Sequence, residues 1–143
     1  MKKAIITISI LASLIACQKN AEDKQELMIK GVIDIHDEVM IKGDELMKLE
    51  SKLDSAMKVS PDSLNAQRLY AGLENSSNQM SIWMENYKPE SVKGKSEEEI
   101  SKYFDDQKTK ITEVKVLTDK SIEEAKGFWG GKQTLPFYLK GTN

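Results

Sequence analysis

The chain has one cysteine, one histidine and three prolines in 143 residues, and aromatics make up only 6% of it. A single thiol excludes a disulfide framework and a cysteine-based zinc site, since both need sulfur in sets. With one histidine, most catalytic and metal-ligating patterns are ruled out. The stretch "HDEVM", residues 36–40, has methionine where an HExxH zinc helix needs its second histidine. Neither a glycine-rich phosphate cradle nor a nucleophile elbow is present. Charge of one sign is lacking too: 21 basic against 23 acidic residues leave a net charge of -2, which offers nucleic acid no basic surface. Neither an enzyme nor a small-molecule substrate is expected from these residues.

What is there begins with an address. Residues 1–17, "MKKAIITISILASLIAC", combine two lysines, an apolar run from Ala4 to Ile15 and a small residue before Cys17, the layout of a secretory signal. The run is too short for an ordinary membrane-spanning helix. Leu14, Ile15, Ala16 and Cys17 resemble the lipobox of bacterial lipoproteins. That resemblance implies cleavage before Cys17, diacylation of its thiol and acylation of the new amine by palmitate-like chains. Several acyl chains anchor far more firmly than one, so a tether to the membrane is expected through Cys17. Glu22 and Asp23 in "QKNAEDK", residues 18–24, look like an export signal for the outer face of the outer membrane, or are simply a charged spacer. The expected address is the cell envelope, lipid-anchored to the outer membrane and facing either the periplasm or the surface. Cleavage leaves about 130 residues and a net charge of about −4, enough chain for one modest core.

Apolar spacing and end signals predict an all-α fold, an antiparallel three-helix bundle. The first helix is expected from about Glu22 to Lys58, with Ile29, Val32, Ile33, His36, Val39, Met40, Leu46, Met47, Leu53, Ala56 and Met57 on its inner stripe and a bend near Gly43. "VSPDS", residues 59–63, ends it, because Ser60 can cap and Pro61 suits a first helical position. The second helix is expected from Pro61 to Tyr87, presenting Leu64, Leu69, Leu73, Met80, Trp83, Met84 and Tyr87, with small residues Ala71, Gly72, Ser76 and Ser77 where a neighbour can approach. Pro89 and Gly94 break it. "SEEE", residues 96–99, predicts a capping box in which Ser96 and Glu99 satisfy each other's backbone N–H. The third helix follows with Ile100, Phe104, Gln107, Ile111, Val114, Leu117, Ser121, Ile122 and Ala125, close to a heptad seam.

Beyond Lys126 the period is lost. Residues 127–143, "GFWGGKQTLPFYLKGTN", read as a short irregular aromatic tail carrying Phe128, Trp129, Phe137 and Tyr138, which either packs back on the bundle or meets a partner. The expected organisation is a signal peptide at 1–16, a lipidated tether at 17–24, a bundle at 25–126 and the tail at 127–143.

The lipobox, "HDEVM" in the first helix, "WM" (Trp83, Met84) late in the second and "SIEEA" (residues 121–125) in the third together look like a family of small lipoproteins of Gram-negative envelopes. Its members often carry the placeholder name viral A-type inclusion protein, and no function is established for them. The resemblance covers about residues 11–126. Two departures stand out: Ile41, Lys42 and Gly43 follow the pentapeptide where relatives have proline and lysine, and relatives stop near the end of the third helix. The resemblance implies a helical shape and an envelope address, with an envelope protein as the candidate partner.

His36 poses the remaining question. One reading puts it on the core stripe, bonded to Glu50, Ser76, Ser77 or Tyr87 and fixing helix register. The other makes His36, Met40, Met80 and Met84 a soft-metal site for copper as Cu(I), since imidazole and thioether suit that ion and His36 and Met40 lie one turn apart. Methionine is also a common gap-filler in cores. The function expected is structural or interaction-based, with copper binding as the alternative.

Overall fold

In a computed structural model the backbone is described for residues 3–130 and side chains for 22–129. The fold is all-α and its helices pack as a bundle: α1 (Lys3–Met40), α2 (Gly43–Val59), α3 (Ser63–Asn86) and α4 (Glu97–Gly130), with a 3-10 turn at Pro89–Val92. Strands are absent among the described residues. The signal-peptide reading of residues 1–16 falls where no side chains are described, as does the Cys17 lipidation call. Among the described residues no helix is long and apolar enough to cross a membrane.

The expected bend falls just before Gly43, where α1 stops at Met40 and α2 restarts at Gly43. At this joint the Lys42 N–H donates to the Val39 carbonyl at 3.0 Å, a tightened three-residue bond, and the Lys42 carbonyl then accepts the Leu46 N–H at 3.0 Å to begin α2. The break changes the phase of the apolar stripe. Val39 on one side and Leu46, Leu49 and Leu53 on the other are buried, while Met40 (49% exposed), Ile41 and Met47 turn outward. Met40 and Met47 were expected inside.

α3 begins at Ser63 rather than Pro61. The Ser60 hydroxyl accepts the Asp62 N–H at 3.1 Å, and residues 61–62 form a turn. Leu64, expected in the core, is 81% exposed there. The capping box of α4 has its expected form. The Ser96 N–H donates to Glu99 Oε2 at 3.0 Å, and the Glu99 N–H donates to Ser96 Oγ at 3.3 Å. The Ser96 N–H and, at 2.8 Å, the Ser96 hydroxyl both donate to Glu99 Oε2, and these two bonds hold the Glu99 carboxyl below its ordinary pKa.

Ion pairs give the directions. Lys24–Glu97, Glu38–Lys115 and Glu45–Lys126 ascend both partners together, so the α1–α2 arm runs parallel to α4. The contacts Arg68–Glu124 and Gly72–Ser121 run oppositely, so α3 is antiparallel to α4. The small-residue stretch of α3 serves as expected: the Ser121 hydroxyl donates to the Gly72 carbonyl at 3.1 Å, across the close approach of the two helices.

The core has two clusters. One gathers Leu46, Leu49, Leu53, Ala66, Leu69, Leu73, Ile122, Ala125 and Phe128; the other gathers Val32, Val39, Met80, Trp83, Val92, Phe104, Ile111 and Val114. Buried polar residues Ser76, Thr118 and Ser121 sit on the same two helices. The tail boundary moves. α4 continues through Gly130, Phe128 is 6% exposed and Trp129 packs on the first cluster. Burying a phenylalanine contributes roughly 1.5–3 kcal/mol, more than the ~1 kcal/mol that a helical glycine costs, so Gly127 does not stop the helix. The rest of the tail, residues 131–143, lies outside the described residues.

Candidate functional site

α1 brings His36 to α3, and what it meets there is aromatic. The His36 ring lies 5.7 Å from Trp83, tilted by 35°, and Trp83 stacks on Tyr87 at 4.9 Å with 19° between planes. Trp83 and Tyr87 share a helix face four residues apart, and Trp83 is 5% exposed. Glu50, Ser76, Ser77 and Tyr87 are not the partners of His36. Its Nδ1–H donates to the neighbouring Asp37 Oδ1 at 2.8 Å, while the Ser76 hydroxyl donates to the Leu73 carbonyl at 2.7 Å. A histidine at the edge of the stripe reaches its own exposed neighbour more easily than a group across the core.

Two donors in this stack are unusual. The Trp83 indole N–H and the Tyr87 hydroxyl are buried without a hydrogen-bond partner among the described residues. An unpaired buried polar group costs about 1–3 kcal/mol. Burial, reinforced by Tyr103, pushes the Tyr87 pKa above the ordinary phenolic value.

The four residues of the copper reading are divided by exposure. Met80 is buried in the core, whereas Met40 and Met84 are 49% and 47% exposed. Met28 and Met57 pack against different clusters. Among the described residues no group of three or more His, Cys, Asp or Glu side chains could hold a metal ion.

A second feature escaped the sequence reading. Beside Trp83, a groove of about 620 Å³ runs between α3 and α4. Asn75, Gln79, Ile82 and Asn86 line it from α3, and Gln107, Lys110, Val114 and Leu117 from α4. Both sets follow helical spacing, so each is one continuous face. The signal was legible as an amide stripe at positions 75, 79 and 86, but a polar stripe reads as solvated surface when no neighbour is known.

At the joint of the α1–α2 arm, Lys42 pairs with Asp119, and Lys115 bridges Asp119 (2.9 Å) and Glu38 (3.6 Å). The hydrogen bond from Lys42 comes first among the causes that hold the Asp119 carboxyl below the usual aspartate range. This network pins the break to α4 and gathers no convergent acid–base pair.

No family model, curated protein or solved structure matches the chain.

Proposed function

We propose that this is an acylated lipoprotein of the bacterial envelope, a three-helix module in up-down-up order held to the outer membrane through Cys17 and acting by protein–protein contact rather than catalysis. The observation that carries the reading is the Leu14–Cys17 lipobox behind Lys2, Lys3 and the apolar run from Ala4 to Ile15. The packing supports it. Glu22, Asp23, Lys24, Glu26 and Leu27 are exposed, and contact with the core begins only at Met28 and Ile29. The described residues just after the anchor position thus stay outside the core, with Lys24 touching the module only through its ion pair with Glu97. The resemblance in "HDEVM" adds to this reading. His36 serves there as a packing residue: its ring covers the edge of the Trp83–Tyr87 stack, which fixes α1 against α3.

Expression of the full chain in a Gram-negative host with an alkyne-tagged fatty acid tests the anchor. Label should enter the protein and disappear in Cys17→Ser, with the variant leaving the membrane fraction. Label-free protein recovered from the soluble fraction would remove the proposal.

A further inference from the structure

We propose that residues 22–40 of α1 form a hinged strap, which lifts from the bundle about the break at Ile41–Gly43 and uncovers the apolar face of Trp83, Phe104 and Ile111. Three observations carry this.

The first is how the strap is seated. The backbone of α2 packs closely on α3 and also approaches α4, whereas that of α1 packs closely on α4 and scarcely approaches α3. The His36 ring reaches Trp83 instead. Val32 and Val39 are the only strap residues fully inside the cluster of Trp83, Phe104 and Ile111; Met28, Ile29 and Ile35 close its edge half-buried. α2 places three leucines, Leu46, Leu49 and Leu53, in the other cluster.

The second is where the unpaired polar atoms lie. Among the described residues, three buried side-chain atoms have no hydrogen-bond partner: the Trp83 indole nitrogen, the Tyr87 hydroxyl and the Thr118 hydroxyl. Trp83 and Tyr87 belong to the cluster that the strap closes. Thr118 stands beside Asp119, which Lys42 meets at the level of the break. The cluster closed by α2 holds no such atom. A polar group cut off from water on closing disfavours the closed form, and this penalty falls on the strap's side alone.

The third is the hinge and its clasps. Gly43 opens α2, and the space a Cβ would fill there has no neighbour within 4 Å. Packing does not call for glycine at that position, so what it adds is backbone freedom. Ion pairs fasten the strap at its two ends, Lys24 to Glu97 at one and Lys42 to Asp119 with Glu38 to Lys115 at the other. Pairs open to solvent are weak singly, and they let go without a large barrier. The strap needs no lipid anchor, since hinge, clasps and covered face all lie within residues 22–119.

Hydrogen–deuterium exchange of the full chain in detergent, read by mass spectrometry, tests it. The open form is a minor one under native conditions, so exchange reports it and a urea melt, which reads global unfolding, does not. A helix whose apolar face has lost its packing holds its hydrogen bonds poorly. Amides of residues 28–40 should therefore exchange as one unit, roughly tenfold faster than those of residues 46–57. Asp119→Asn loosens a clasp and should speed residues 28–40 several-fold while leaving 46–57 unchanged. Tyr87→Phe keeps the ring, removes the unpaired hydroxyl and should slow residues 28–40 several-fold. Equal protection of the two segments overturns the proposal. So does protection that climbs steadily from Met28 to Met40, which is fraying from one end, or an Asp119→Asn effect of equal size in both segments. A Tyr87→Phe rate that is unchanged or raised overturns it as well.

Discussion

Phe104→Ala tests whether the two apolar clusters form one cooperative core. Phe104 is 1% exposed, packs among Val32, Trp83 and Ile111, and meets Tyr103 edge-on at 5.1 Å. An aromatic side chain buries about 150–250 Å², which at about 25 cal/mol per Å² is worth roughly 4–6 kcal/mol relative to full exposure. Alanine keeps part of that, and phenylalanine-to-alanine changes in cores cost about 3–5 kcal/mol. With a urea slope of about 2 kcal/mol per M, the midpoint should fall by roughly 2 M. Two tryptophans report the outcome, because Trp83 belongs to the cluster of Phe104 and Trp129 packs on the other. In single-tryptophan variants, Trp83→Phe and Trp129→Phe, both reporters should shift together with the helical circular dichroism. A loss below about 1 kcal/mol would refute the packing argument. A Trp129 transition that stays in place while helix near Trp83 melts would refute the single core.

Other perturbations read other features. Gly31→Ala should stabilise the fold by about 0.5–1 kcal/mol in urea melts, because a Cβ there meets nothing within 4 Å and the site is helical. Gly94→Ala should instead destabilise it by about 1 kcal/mol, since Gly94 has φ +79°; equal signs for the two would contradict the backbone described. Asp119 has a depressed pKa, so its pairing stabilises the fold above the unfolded aspartate value and is lost as pH falls through the folded one. The carboxyl is 40% exposed, which limits the effect to under about 1 kcal/mol, and Asp119→Asn should flatten the fall in stability between about pH 5 and 2. His36→Ala should lower stability by about 0.5–1.5 kcal/mol through lost contact with Trp83, and Cu(I) uptake measured by competition with a chromogenic chelator should be the same in variant and parent.

The sequence disclosed those elements whose cause is local. The Ser96–Glu99 box is written in four consecutive residues, and every inner position expected of α4, from Ile100 to Ala125, is buried or half-buried. The misreadings come from causes that are not local. Met40 and Met47 follow the stripe of an unbroken helix, but the break at Ile41–Lys42 rotates α2, and that rotation is set by contacts with α3 and α4. Leu64 was assigned inward by its type, although it lies in the first turn of α3, at the edge of the bundle. Phe128 was read into a tail because glycines flank it, and only its burial against Leu53 and Ala66's cluster shows why the helix continues. The groove was invisible for a related reason: it exists only once α3 and α4 lie side by side.

The parallel run of the α1–α2 arm and α4 has a consequence for distance. α4 starts at the pole where Glu97 meets Lys24 of α1 and ends at Gly130, at the pole where α2 ends at Val59. α4 rises about 1.5 Å per residue over its length, so the poles stand roughly 50 Å apart. If acyl chains hold Cys17, the Lys24 pole rests beside the lipid and the Gly130 pole projects outward by that span. The protein would then work as a stand-off, and whatever it meets at its far end would be held clear of the bilayer by a fixed height.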